Sequence, residues 1–139
     1  MIIEKTYDFD NIDNIPKEYI EYFTLRDYHR TILTDIIKQC HPFTLKGYIN
    51  HVIVVGIEGF AMLQDQSNFF VSPISRKFII DHFEKVGMLL GKDVYYDLTL
   101  DFNKVIIGSD LSSVEYYIRT KNRKEKLKKL NDLGIKIGI

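Results

Sequence analysis

The stretch 93–120 constrains the fold of this chain most, because it contains the longest run in which apolar and polar residues alternate. Leu98, Leu100 and Phe102 alternate with polar neighbours, a pattern typical of a β-strand with one apolar and one solvated face. Two runs rich in β-branched and aromatic residues follow, and such residues favour strands. We therefore predict an antiparallel meander. Its three strands are predicted over 97–103, 105–107 and 114–120.

The remaining sequence predicts strands that extend this sheet and helices that cover it. Together the elements indicate a single α+β domain over 1–139, with a mostly antiparallel sheet of about six strands and three main helices packed on one face. The further predicted strands are 2–9, 51–56, 60–63, 69–71 and 135–139. The predicted helices are 17–23, 25–40, 74–90 and 123–133.

The ends of the predicted helices depend on local capping residues. Thr24, followed three residues later by Asp27, is close to a capping box. His41 and Pro42 are expected to end the helix that begins there. Gly91 is expected to cap the helix over 74–90.

Residues 48–63 allow two interpretations. The run 51–56 is β-branched and apolar on both faces, which predicts a central, buried strand. The alternative is one long buried helix over 48–63. Because Gly56 and Gly59 would each destabilise such a helix by about 1 kcal/mol, strands are favoured.

Composition places the chain among folded proteins with one core. Its 139 residues are 45% hydrophobic and 27% charged. No run of 18 apolar residues exists, and acids follow the first two isoleucines, so we expect neither a membrane span nor a signal peptide. The lone cysteine, Cys40, cannot form an internal disulfide. These features predict a cytoplasmic protein without membrane contact.

Charge is unevenly distributed, although the formal net charge is zero. Residues 1–21 hold six acids, whereas residues 119–129, the basic segment, hold one acid and seven cations. The segment has three interpretations: phosphate binding beside the stacking rings of Tyr116 and Tyr117, a solvated helix face, or pairing with the acidic N-terminal region within or between subunits. The seven cations are Arg119, Lys121, Arg123, Lys124, Lys126, Lys128 and Lys129.

The loop 108–113 is the most site-like turn in the sequence. If residues from 114 onward were helical, its backbone N–H groups would suit a phosphate. The β-forming run that follows favours a hairpin loop instead. The candidate phosphate-binding residues are Gly108, Ser109, Ser112 and Ser113.

The acidic residues and the potential metal ligands do not form a compact motif in the sequence. Asp97 and Asp101 would lie about 13 Å apart on one strand face, too far for a single metal ion. Cys40, His41 and His51 could converge as a thiol–imidazole pair or as metal ligands, but Cys40 also continues an apolar helix face. We therefore predict no metal site, no cofactor and no catalytic residue.

Aromatic residues crowd the first two predicted helices beyond the needs of one buried stripe, and exposed tyrosines are typical of protein interfaces. Helix packing is the alternative. The candidate interface residues are Tyr19, Tyr22, Phe23 and Tyr28.

Three functional hypotheses follow. The first is a non-catalytic protein-binding module, a regulator or inhibitor that forms homo-oligomers. The 20 isoleucines and single alanine of the chain fit AT-rich coding, as in a low-GC bacterium, a phage or other mobile element, or another virus. The second is a nucleic-acid-binding protein that uses the basic segment. The third is a small nucleotide- or phosphoester-handling protein that uses the loop 108–113 with Asp97 or Asp101.

Overall fold

A single sheet organises the structure. The computed structural model describes residues 1–10, 24–66, 69–71 and 84–133. Within them the strands have the order β1-β6-β2-β5-β4-β3, and every neighbouring pair is antiparallel except β2 with β5. The α+β class with six strands and three helices is confirmed. In chain order the elements are β1 (Ile2–Thr6), α1 (Leu25–Leu45), β2 (Val52–Val55), α2 (Ile57–Gln64), β3 (Phe69–Val71), β4 (Glu84–Leu89), β5 (Lys92–Tyr96), β6 (Lys104–Gly108) and α3 (Leu111–Asp132).

The helices cover both faces of the sheet, so their predicted placement on one face is wrong. Ile53 and Val55 pack with residues of α1 and α2 in the larger core cluster. Val52 and Val54 point to the opposite face and pack with Val114 of α3 in a second cluster. The prediction that the apolar run of β2 forms a strand buried on both faces is therefore confirmed.

The predicted strands over 51–56, 69–71 and 105–107 correspond to β2, β3 and β6. The N-terminal strand is also confirmed, as β1 at the edge of the sheet. The predicted elements over 17–23 and 135–139 lie outside the described residues.

Helix α1 begins as predicted and ends later than predicted. Thr24 and Asp27 form the complete capping box. The helix continues through Pro42 to Leu45, and burial of the whole Phe43 side chain stabilises this last turn. Gly47, at φ 78°, then supplies the left-handed residue that ends it.

Residues 57–64 form a helix, so the strand predicted over 60–63 is wrong, and so is the alternative of one long helix over 48–63. Gly56 lies at the N-cap and only Gly59 lies inside α2. A Cβ at Gly59 would come within 3.1 Å of the Val55 Cβ. Glycine at this position lets α2 pack closely on β2, which compensates for its low helix propensity.

Residues 84–89 form strand β4, so the helix predicted over 74–90 is wrong in its described part; residues 74–83 lie outside the described residues. Gly91 does not cap a helix. Leu90 and Gly91, at φ 49° and 78°, form the two-residue turn between β4 and β5. Two consecutive positive φ angles are typical of a tight hairpin with right-handed strand twist.

Two of the three predicted meander strands are wrong. Residues 97–103 form a connection, because the Asp97 carboxylate accepts hydrogen bonds from the Thr99 backbone N–H and hydroxyl and turns the chain. Residues 114–120 belong to α3 and are helical. The same helix continues through most of the helix predicted over 123–133. Val114 and Ile118, four residues apart, form the buried stripe of this helix.

Candidate functional site

The basic segment lies on α3, and its N-terminal part is fixed to the sheet. Val114 and Ile118 are buried against Ile106 and the β2 valines. Further along the helix, the Arg119 guanidinium and the Asn122 amide donate to the Thr99 hydroxyl at 3.4 and 3.0 Å. The first half of α3 is therefore held by apolar contacts and by side-chain hydrogen bonds.

Glu4 of β1 forms a half-buried ionic cluster with this half of the helix. Its carboxylate accepts from the Lys121 ammonium at 2.5 Å and from the Tyr117 hydroxyl at 2.6 Å. The Lys104 ammonium lies 3.1 Å away. Burial raises the pKa of the Glu4 carboxyl, and the hydrogen bonds from Lys121, Tyr117 and Lys104 outweigh this effect and lower the pKa from 4.5 to about 2. Lys121 is thus an intramolecular partner of the N-terminal strand, as one interpretation of the basic segment predicted.

This cluster makes folding stability depend on pH in a defined window. Because the folded pKa of Glu4 is depressed, its contribution is complete above pH 4.5 and is lost as pH falls toward 2. We expect Glu4→Gln to lower the free energy of unfolding by about 1–2 kcal/mol at neutral pH, with the difference from wild type disappearing near pH 2. Urea unfolding at a series of pH values measures this.

Asp93→Asn is the matched control, since Asp93 pairs with Lys85 at 3.0 Å but both side chains are about two-fifths exposed. It should change stability by less than about 0.5 kcal/mol. A Glu4→Gln effect that persists undiminished at pH 2 would contradict an ionic origin.

With the residues that the structure describes, the second half of α3 makes no comparable contacts. No residue of the helix after Ile118 is buried, and every residue from Arg123 to Lys129 is exposed. Five cations lie in this half with Glu125 between them. They are Arg123, Lys124, Lys126, Lys128 and Lys129. At 1.5 Å per residue the helix runs on for about 15 Å past Asn122.

Apolar side chains accompany these cations on the outward side of α3. Tyr116 is 75% exposed and Leu127 is 45% exposed. With 100° between successive residues, Tyr116 lies about 200° around the helix from Val114, and Leu127 follows Tyr116 by about three turns. Arg123 lies on the same side, whereas the other four cations are distributed around the rest of this exposed stretch. The exposed end of the helix therefore combines apolar groups with positive charge. We call Tyr116, Leu127 and the five cations together the outer face of α3.

The loop 108–113 precedes a helix, which is the geometry considered for phosphate binding, but the chain itself fills that position. The Asp110 carboxylate accepts from the Ser113 N–H at 2.7 Å and caps α3. The Ser109 N–H donates to the Met1 carbonyl. Gly108 is packed so tightly that a Cβ would clash with Val114. Ser112 lies exposed in the first turn. The negative group at this helix terminus is therefore the Asp110 side chain.

The remaining predicted site residues are dispersed. Tyr28 packs against the larger core, and its hydroxyl donates to the Asp8 carbonyl at 2.6 Å; Tyr19, Tyr22 and Phe23 lie outside the described residues. Asp97 is buried in its turn, whereas Asp101 is exposed.

Cys40, His41 and His51 do line one cavity under α1. Among the residues that the structure describes, no group of three or more histidine, cysteine or acidic side chains could hold a metal ion.

Comparison with protein-family models, curated proteins and solved structures gave no significant match. In the described part of the chain, no helix is both long enough and apolar enough to cross a membrane. The functional argument therefore depends on the residues themselves.

The sequence identified the seven cations, but it did not identify the residues that fix some of them and leave the others exposed. Glu4, Lys104 and Thr99 hold the first half of α3, and none was a candidate. The spacing of Val114, Ile118 and Lys121 at i, i+4 and i+7 was the available signal for a helix. Recognising that helix would have placed Tyr117 and Lys121 on its sheet-facing side.

Proposed function

We propose that the protein is a non-catalytic binding module that contacts an acidic protein partner through the outer face of α3. The observation that carries the proposal is the contrast between the two halves of this helix. The first half is fixed by Val114, Ile118 and the Glu4 cluster, whereas the second half presents five exposed cations. A rigid anchor with an exposed charged extension is suited to recognition, and by occupying its partner such a module acts as a regulator or inhibitor.

The exposed apolar groups favour a protein partner. Leu127 lies among the lysines and is 45% exposed, on a stretch of helix that contains no buried residue. Burying apolar surface stabilises a complex by about 25 cal/mol per Å². Complementary charge adds speed and selectivity to the encounter. We therefore infer a partner surface that offers acids around an apolar pocket.

Charge also bears on self-association. A symmetric dimer formed through α3 would place the same lysines of two copies against each other. We propose that any homo-oligomer uses another surface. Native mass spectrometry at several protein concentrations, with the Lys124→Glu/Lys128→Glu variant beside wild type, tests this.

Nucleic acid is the second candidate, favoured by the five cations and single acid within residues 123–129. Five phosphate contacts would give a salt dependence of log K with a slope of about −4 to −5 on duplex DNA. The same cations could thus contact either kind of partner. The two candidates differ in whether Leu127 contributes to binding and in how steeply the affinity falls with salt.

Charge reversal in Lys124→Glu/Lys128→Glu is expected to weaken partner binding more than tenfold, because two repulsive charges replace two of the five attractive ones in the second half of α3. A random peptide library selected on immobilised wild-type protein supplies the ligands, and calorimetric titration of the enriched peptides measures their affinity. We expect enriched peptides that contain acids and apolar residues, with about tenfold weaker binding to Leu127→Ala.

Lys38→Glu/Lys46→Glu is the matched control, because both lysines are exposed and lie away from α3. Each double variant changes the formal net charge from 0 to −4, two units per substitution. The control should change affinity less than about twofold. Enriched peptides without acids, or equal losses in the two variants, would contradict the proposal. Steeply salt-dependent binding of a short duplex or single strand that is insensitive to Leu127→Ala would favour nucleic acid.

A further inference from the structure

A cavity lies on the other face of the sheet from α3, between the second half of α1 and the ends of β2, β4 and β5. Its volume is about 210 Å³. His51, Ile53 and Leu89 are buried and form its floor, whereas His41 and Leu90 are exposed and lie at its mouth. An apolar cavity of about 150 Å³ already accommodates benzene in an engineered protein. This space is therefore large enough for a molecule of one or two rings.

The floor of the cavity contains a polar atom without a partner. His51 is 2% exposed, and within the described part of the chain its Nε2 has no hydrogen-bond partner. The Nδ1 atom lies 2.8 Å from the Tyr48 carbonyl oxygen. Since a carbonyl oxygen can only accept, Nδ1 carries the proton, and Nε2 of the neutral ring is an acceptor.

The ring of His51 is also fixed in place. It stacks on Phe43, with ring centroids 5.6 Å apart and planes 24° from parallel. A buried acceptor without a partner is destabilising, because it has lost its hydrogen bond to water without a replacement. A ligand that donates a hydrogen bond at this position would recover that energy without rearranging the ring.

Among the described residues, no other polar group at the cavity donates a hydrogen bond to Nε2 of His51. Burial raises the pKa of the Cys40 thiol to about 11, although the nearby Lys92 charge opposes this. Cys40 is thus a neutral, polarisable wall group and a poor nucleophile. The remaining floor residues, Ile53 and Leu89, are hydrocarbon. The cavity combines a mainly apolar lining with one oriented acceptor on its floor.

We propose that this cavity binds a small, largely apolar aromatic molecule that donates one hydrogen bond to Nε2 of His51, of the class represented by indole. The site is independent of the outer face of α3, because α1 and α3 cover opposite faces of the sheet. The module therefore has a small-molecule site in addition to its proposed protein-binding surface.

Indole and benzofuran provide a matched pair of probes, since they have nearly the same shape and benzofuran has an oxygen in place of the N–H donor. We expect indole to bind the full-length chain about tenfold more tightly than benzofuran, which corresponds to about 1.4 kcal/mol. Titrations followed by ¹H–¹⁵N NMR give both affinities and locate the perturbed residues. Shifts should be confined to residues around Cys40, His51 and Leu89.

Two variants test the assignment. His51→Phe keeps a ring on Phe43 and removes the acceptor, so indole and benzofuran should bind it equally. Thr44→Trp places a large side chain at the exposed end of the cavity without touching the core, and it should weaken indole at least tenfold. The amide spectrum of each variant reports whether it is folded.

Three results would overturn the proposal. They are equal affinities of indole and benzofuran for wild type, unchanged indole binding by Thr44→Trp, and no binding of indole up to its solubility. If His51→Phe does not fold, it cannot be used as a test. The indole–benzofuran comparison on wild type and the Thr44→Trp variant then test the proposal by themselves.

Discussion

Replacement of Ile118 by alanine is expected to lower the free energy of unfolding by about 3 kcal/mol. Ile118 is 2% exposed and packs with Val114, Ile106 and the β2 valines. That cluster is the smaller of the two cores, and α3 contributes only two buried residues to it. Truncation therefore removes a large part of the apolar contact that holds the helix. Urea unfolding followed by circular dichroism measures the change.

Leu127→Ala is the matched control on the same helix. Leu127 is 45% exposed and lies nine residues further along, beyond the buried stripe. Its truncation should change stability by less than about 0.5 kcal/mol. Equal destabilisation by the two variants would show that the second half of α3 is packed against the protein, and the proposal for its outer face would fail.

The contrast between β2 and α3 shows which parts of this fold can be predicted from the sequence. The three valines and one isoleucine of β2 form a short, continuous apolar run, and only a strand buried on both faces suits that run. The run from Val114 to Ile118 has similarly high strand propensity but is helical. Its helix depends on the Asp110 cap and on contacts with the sheet, and tertiary contacts override local propensity.

Strand β4 was mispredicted for a different physical reason. The ladder between β4 and β5 shifts its register between Lys85 and Gly87. A bulge of this kind interrupts the alternation that identifies a strand. With the period of two broken, the apolar positions between 74 and 90 also fit a helix. The turn at Leu90 and Gly91 was the remaining local signal for a hairpin.

The residues of the candidate site could be predicted from the sequence, but their arrangement in the fold could not. The basic segment is evident from residue counts, whereas its division into an anchored and an exposed half depends on Glu4, which is 117 residues from Lys121. No local pattern reports such a pairing. Likewise, Cys40, His41 and His51 were recognised as residues that could converge, but the volume of the cavity and the unpartnered Nε2 depend on how α1 packs across the sheet.

Gly56→Ala is the second substitution for which we expect a large effect, a loss of about 2–3 kcal/mol in the free energy of unfolding. Gly56 has φ −78° and ψ −175°, which any residue can adopt, so the requirement for glycine is spatial. A Cβ would clash with the Asp101 carbonyl oxygen and would lie 2.9 Å from the Phe102 Cα. Both are backbone atoms, and rotamer changes cannot relieve such a clash.

Gly91→Ala is the control, because Gly91 has φ 78° and no atom of the described residues lies within 4 Å of a Cβ placed there. It should cost about 1 kcal/mol through backbone conformation alone. Chemical denaturation of both variants gives the comparison, and a larger loss for Gly91→Ala would show that the connection over 97–103 moves aside readily.

That connection also links Gly56 to the functional helix. The backbone of residues 101–104 is tied to Gly56 and Glu58 by hydrogen bonds of 3.2 and 3.0 Å. The same connection carries Thr99, whose hydroxyl accepts from Arg119 and Asn122 of α3. Displacing it in Gly56→Ala should therefore accelerate amide exchange in the first half of α3, whereas Gly91→Ala, in the hairpin between β4 and β5, should leave that exchange unchanged.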